Sequence, residues 1–250
     1  MNKYTIIKAF QKHFPFPIWK IEVDCSNNCL AIEYRNPTDT LPTFAVISFE
    51  GETLLEHYTS TEKEWTLEAI QDEFLIFKRF GSSSPLQAGI QVLHIPSQSV
   101  IFTHHEYVLK DVYKDRLRVV HRSIPSGLEF FVEIATGIVS NILEQKFTFP
   151  DKNIAYPIPY QGNLPYFIKD LYFEDQIWLQ PYKDFFIWSY HKKKGQYFDL
   201  HLCLSTKNEI LDRKIVLSGL DKLIPQPYFQ VKGYIFFLSN TKQEIAAYLV

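Results

Sequence analysis

The chain has 250 residues, 46% of them hydrophobic and 22% charged, a balance that excludes a disordered polymer and allows one large all-β domain or two small ones. A net charge of −2 gives no support for a phosphate-backbone binder, which needs clustered Lys and Arg, so no nucleic-acid partner is expected. The unusual figure is 16% aromatic residues, whose flat side chains suit the faces of pleated sheets.

At the start, Met1-Asn2-Lys3 precedes Tyr4-Thr5-Ile6-Ile7-Lys8-Ala9-Phe10. Lys8 interrupts the apolar run and no small-residue cleavage site follows, so no secretory signal is read. Three cysteines are an odd number and do not suggest a disulfide framework; a reducing cytoplasm is the expected setting. The longest apolar stretches fall short of the roughly 18 residues that span a bilayer, and no membrane partner is expected.

One pattern then recurs: a short strand, a tight polar turn and a second strand of mostly apolar residues. Trp19 to Asp24 turns at Ser26-Asn27-Asn28 into Leu30 to Tyr34. Behind it Phe44 to Phe49 turns at Glu50-Gly51-Glu52 into Thr53 to Tyr58. The second repeat runs Trp65 to Ile70, a turn at Gln71-Asp72-Glu73, Phe74 to Phe77, then Gly89 to Ile95 and Val100 to Thr103 around Pro96-Ser97-Gln98. The third runs Val108 to Tyr113, Lys114-Asp115, Leu117 to Val120, then Phe130 to Ile134 and Ile138 to Ser140 around Ala135-Thr136-Gly137. Alternating apolar positions punctuated by Gly, Asn and Pro are hairpin signals, and no helical period of useful length is found.

The second half is looser. Phe147 to Gln161 carries three of the fourteen prolines and reads as an excursion between repeats three and four. The first strand of repeat four is ambiguous, since Phe167 to Tyr172 and Trp178 to Tyr182 both fit. The basic run His191-Lys192-Lys193-Lys194-Gly195 reads as a solvated hairpin loop. Tyr197 to Leu204 then pairs with Ile210 to Ile215. The last repeat has Tyr228 to Val231, a turn at Lys232-Gly233, Tyr234 to Leu238, and Ile245 to Leu249.

Four strands in about 45 residues, repeated, predict an all-β, five-bladed β-propeller in one domain, with blades at about 18–58, 65–105, 107–146, 166–216 and 227–250. A lone four-stranded sheet leaves two apolar faces wet, and stacking sheets buries both. Phe44, Phe74, Phe102 and Phe131 are expected in the layers between blades. The last blade is one strand short, and residues 3–10 are expected to complete it and cover its edge. In a competing register, residues 3–10 form a separate arm.

The repeat resembles the β-propeller class, and the chain is similar in character to uncharacterised bacterial propeller-like families. The Gly-His and Trp-Asp dipeptides of WD40 repeats and a regular kelch double glycine are absent, so that resemblance implies a fold and no site residues.

Aligning the first strands places Glu22, Glu68 and Asp111 at one equivalent position, joined by Asp170 or Gln180 and then by Gln230. In a propeller these residues ring the central channel. Clustered carboxylates can bind a cation, hydrogen-bond a sugar or raise one another's pKa, and equally can pair with neighbours such as Lys20 and Lys110. Five-bladed glycosidases use two inner-strand carboxylates about 5–5.5 Å apart for retention or 6.5–9.5 Å for inversion. The Glu, Glu, Asp order departs from the Asp, Asp, Glu of arabinanase-like hydrolases, and their flanking motifs are missing.

Eight histidines show no metal-ligand spacing, although His201 and Cys203 share a strand face. Cys25 and Cys29 flank a turn as small apolar residues. No phosphate loop, nucleophile elbow or calcium loop is present, and no metal or cofactor is expected. Tyr156-Pro157-Ile158-Pro159-Tyr160 and Leu164-Pro165-Tyr166 form a Pro/Tyr-rich segment that suits either a contact surface or a packed lid. The expected function is therefore a non-catalytic module that binds a protein or a small molecule. The alternative is a hydrolase acting on a glycoside through the first-strand carboxylates.

Overall fold

The computed structural model describes residues 4–80, 88–124, 127–141, 147–151 and 153–250. Lys3, at the start of the expected closing strand, and 142–146, at the end of the third repeat, lie outside the described residues. The described chain is all-β apart from one four-residue helix. It divides into two compact units, Phe14–Lys152 and Met1–His13 with Asn153–Val250. Strand β1 (Ile7–His13) belongs to the second of these.

The first unit is three antiparallel meanders. The first comprises β2 (Ile18–Asp24), β3 (Cys29–Arg35), β4 (Pro42–Ser48) and β5 (Thr53–Thr59). The second comprises β6 (Trp65–Gln71), β7 (Phe74–Arg79), β8 (Ile90–His94) and β9 (Ser99–His104). The third comprises β10 (Tyr107–Val112), β11 (Arg116–His121), β12 (Glu129–Glu133) and the short β13 (Val139–Ser140).

Within each sheet every strand pairs with the next in sequence, and the β2–β3, β4–β5, β6–β7, β8–β9 and β10–β11 hairpins are closed by turns of two to four residues. Asn28 and Asp72 take left-handed conformations in two of these turns, which short polar side chains tolerate. The first strands are bulged, between Ile18 and Lys20, Leu67 and Ala69, and Leu109 and Asp111, which increases their local twist.

Period-two alternation, shifted by one residue at the bulge between Leu67 and Ala69, explains why both faces of the middle sheet are apolar. Leu67, Leu75 and Phe77 point one way and pack with Ala31, Phe44, Val46 and Leu55 of the first sheet. Ala69, Ile76, Ile90 and Val92 point the other way and pack with Leu117, Val119 and Val132 of the third. Phe44 and Phe77 meet with ring centroids 4.3 Å apart. Each fully buried aromatic of this kind contributes about 1.5–3 kcal/mol. Phe74 and Phe102 border the second layer, and Phe131 stacks on Phe147.

The second unit holds two five-stranded sheets. The proline-rich excursion supplies a two-residue strand to each: β14 (Ile154–Ala155) and β15 (Ile158–Pro159). Helix α1 (Tyr166–Lys169) follows Pro165 and ends at Asp170. Then come β16 (Glu174–Tyr182), β17 (Phe185–Lys194), β18 (Tyr197–Ser205) and β19 (Ile210–Leu220), in the order β15-β16-β17-β18-β19. The last strands are β20 (Phe229–Val231), β21 (Tyr234–Leu238) and β22 (Glu244–Leu249), in the order β1-β22-β21-β20-β14.

Two expectations are corrected here. The basic run is the end of β17 rather than a loop: Lys194 pairs with Tyr197, and His191 is buried. The segment from Phe167 to Tyr172 is not a strand, because it opens as α1 behind Pro165. The first full-length strand of this sheet is β16.

The N-terminal strand pairs antiparallel with the C-terminal one, Ile7 opposite Leu249 and His13 opposite Glu244. His13 Nε2 lies 2.8 Å from Glu244 Oε2. The Ile6 amide donates to Asp212 Oδ2 at 2.7 Å. Ile6, Ile235, Phe237 and Tyr248 pack against Ile187, Leu200, Leu202 and Leu204 of the neighbouring sheet. The opposite face of that neighbour, with Trp188, Tyr190 and Cys203, is covered by Ile168, Leu171 and Tyr160.

Candidate functional site

Of the aligned first-strand residues, Glu22 and Glu68 share one lysine across neighbouring sheets, and Asp111 is paired separately on its own sheet. Lys20 Nζ lies 3.2 Å from Glu22 Oε1 and 3.2 Å from Glu68 Oε2, and it donates to the Leu67 carbonyl at 2.7 Å. Burial works to lower the Lys20 pKa, but the two carboxylates outweigh it and hold the ammonium above its usual value. Glu68 has a second cation, Lys78 Nζ at 2.8 Å. On the third sheet Asp111 accepts from Arg118 Nε at 2.6 Å and also from Nη2, while Arg118 Nη1 reaches Glu129 at 3.0 Å.

In a glycosidase the space between the two carboxylates holds the sugar or a water. Here the Lys20 ammonium bridges Glu22 and Glu68. All three carboxylates are neutralised by cations within their own unit.

In the second unit, Gln180 on β16 donates through Nε2 to Oε1 of Gln230 on β20, and Gln230 donates to the Lys232 carbonyl at 3.2 Å. Both glutamines are buried. Asp170 is elsewhere, exposed at the C-terminus of α1.

Sequence reasoning missed several polar anchors of the fold. Glu33, fully buried, accepts from Arg35 Nε at 2.7 Å, Thr66 Oγ1 at 2.8 Å and the Leu67 amide at 2.8 Å. Arg35 also donates to the carbonyls of Lys63 and Trp65, at 2.8 Å each, between the rings of Trp19 and Phe80. Asp24 caps its own turn through the amides of Ser26 and Asn27 and accepts from the Asp72 amide of the next sheet at 3.0 Å. The available signal was an acid inside an otherwise apolar strand, which must find partners.

On β17 and β18, Tyr190 and His201 stack with centroids 5.2 Å apart and planes 8° from parallel. Burial, with Lys192 and Arg213, pushes His201 down to about 4, and burial lowers His191. Burial raises Cys203 and Cys29 to about 12, so neither is a ready thiolate.

Of the three tyrosine candidates, Tyr160 packs edge-on to Trp188 and donates to the Asn163 carbonyl at 3.0 Å, a lid residue. Tyr166 is exposed and donates to the Asn208 carbonyl at 3.2 Å. Tyr156 borders a cavity of about 400 Å³ in the second unit. Phe229, Phe236 and Leu238 form part of its wall, the strap between β19 and β20, with Pro225-Gln226-Pro227, forms another part, and Ser239 and Asn240 also line it. Lys222 and Lys242 are exposed and line it as well. The His191 imidazole Nε2 accepts from the Ile224 amide at 3.2 Å, which fastens the strap to β17.

Among the described residues no group of three or more His, Cys, Asp or Glu is placed to hold a metal ion. No described helix is long and apolar enough to cross a membrane.

No protein-family model and no curated protein matches this sequence. Among solved structures, the chain is similar to the β-propeller domain of the Trilobed protease from Pyrococcus furiosus, at 11% identity and a TM-score of 0.34 over 90% of this chain and 78% of that one. It is similar to an acylaminoacyl peptidase from Pyrococcus horikoshii, at 11% identity and a TM-score of 0.32, spanning 88% of this chain and 35% of the peptidase. It is also similar to an oligogalacturonate lyase in complex with manganese, at 9% identity and a TM-score of 0.32 over 98% of this chain and 92% of that one. At these TM-scores the likenesses carry no argument about function.

Proposed function

We propose that this chain is a five-bladed β-propeller that works as a recognition module, taking its ligand in the cavity beside Tyr156 and doing no chemistry through its first-strand carboxylates. The propeller reading is supported by five successive meandering sheets, by their face-to-face packing within each unit, and by an N-terminal strand that completes the last sheet.

The observation that carries the binding reading is the cavity itself. It is concave, largely apolar and of a size that suits a small molecule, with a few polar groups at its border. The carboxylates that a hydrolase would need are instead occupied by Lys20, Lys78 and Arg118.

A small-molecule panel screened by thermal shift tests the reading. Hits are expected to raise the melting temperature of the native chain and to lose most of that effect in Tyr156→Ala. A glycoside turned over by the native chain and not by Glu68→Gln would instead restore the hydrolase.

A further inference from the structure

The cavity beside Tyr156 is apolar in its wall and cationic at its edge, and this asymmetry narrows the ligand. Neither Lys222 nor Lys242 has an ion-pair partner among the described residues, and no Asp or Glu lines the cavity. The nearest acid in sequence, Asp221, accepts from Asn240 Nδ2 at 3.3 Å. The two lysines come from different connections, one after β19 and one between β21 and β22, so the pairing of charges is a product of the fold.

Tyr228 borders the same cavity. It is buried, its hydroxyl has no partner among the described residues, and burial raises its pKa, so it remains a neutral donor.

We propose that the cavity binds an amphipathic monocarboxylate, its hydrocarbon body against Phe229, Phe236 and Leu238 and its carboxylate between Lys222 and Lys242. This rests on the cavity being the binding site, as argued above. An apolar body gains by leaving water for the wall, and a carboxylate at the edge keeps part of its hydration while meeting two ammonium groups. A phosphate ester or nucleotide fits less well: it would bring a strongly hydrated, multiply charged group to an apolar wall. A cationic amphiphile would meet two like charges.

Calorimetric titration of the full chain with decanoate, 1-decanol and decyltrimethylammonium tests this. Decanoate is expected to bind, with decanol weaker and the cation weakest. Lys222→Ala and Lys242→Ala are each expected to lower decanoate affinity by up to about fivefold and to leave decanol unchanged, since each removes one solvent-screened charge. Raising the salt concentration weakens decanoate alone.

If decanol binds as tightly as decanoate, or the double lysine variant binds decanoate as the native chain does, the carboxylate assignment is wrong while the cavity remains a binding site. If none of the three probes binds, the cavity reading falls with it. Because both lysines are exposed, their replacement leaves the core intact.

Discussion

Glu33 is the residue on which the first two sheets most depend for polar order. Its two oxygens satisfy a guanidinium, a hydroxyl and a backbone amide in a site without water access. Glu33→Ala strands all three donors and is expected to cost about 3–5 kcal/mol, the usual penalty for breaking a buried charge pair from one side. Glu33→Gln keeps the shape and one acceptor, and about 1–3 kcal/mol is expected. Urea denaturation of both variants measures the difference, and equal losses would mean that the charge on Glu33 is irrelevant.

His201 makes a pH prediction at the same scale. Its pKa lies near 4 in the fold and near 6.5 in an unfolded chain, so between those values the unfolded chain binds more protons. Stability therefore falls as the pH drops from about 6.5 towards 4 and levels off below, by roughly 3 kcal/mol from this residue. His191, lowered in the same direction, adds to the slope. His201→Phe keeps a ring against Tyr190 and removes its share. Melting temperatures measured across pH 4 to 7 should flatten in that variant, and an unchanged slope would assign the effect elsewhere.

Among elements, the turn between β12 and β13 is tightly specified. Gly137 has φ +75, and a Cβ there would lie 2.6 Å from the ring of Phe102 on the neighbouring sheet. Gly137→Ala combines left-handed strain with a steric clash and is expected to cost about 1–3 kcal/mol. Comparison with Gly127→Ala, where φ is +69 and nothing approaches, separates the clash from the strain. Removal of residues 1–13 should be harsher: it uncovers the edge of β22 and removes Ile6 from its core. Light scattering on heating should then show aggregation that the full chain lacks.

The hairpins of the first three repeats were legible because local and tertiary demands agree there: alternating apolar positions, then Asn-Asn, Asp-Glu or Lys-Asp at the turn. The existence of the closing strand was legible because Tyr4 to Phe10 precedes Trp19 as Thr53 to Tyr58 precedes Trp65, but its bounds were not, since β1 runs Ile7–His13 and not 3–10. β17 was hidden because its last three residues are lysines, which resemble a loop when burial is unknown. Phe167 to Tyr172 is apolar at both ends and short enough to be read as a strand, yet Pro165 and the packing of Ile168 and Leu171 on Trp188 and Tyr190 decide otherwise. The first-strand alignment brought Glu22 towards Glu68 and Gln180 to Gln230. The cavity could not be read at all, since Tyr156, Lys222, Phe236 and Lys242 share no motif and meet only through folding.

For the whole molecule, the five-bladed reading predicts one cooperative unfolding transition and a radius of gyration of about 18 Å, the value for a compact chain of this length. Two resolved transitions in calorimetry, or a much larger radius in solution scattering, would mean that the two units fold and behave separately. The partnership of Ile7 with Leu249 also has a bearing on biosynthesis. Strand β1 has no mate until β22, at the far end of the same sheet's sequence span, has also been synthesised. Until then it remains unpaired, a period in which a holdase chaperone has the most to protect and a nascent-chain protease the most to cut.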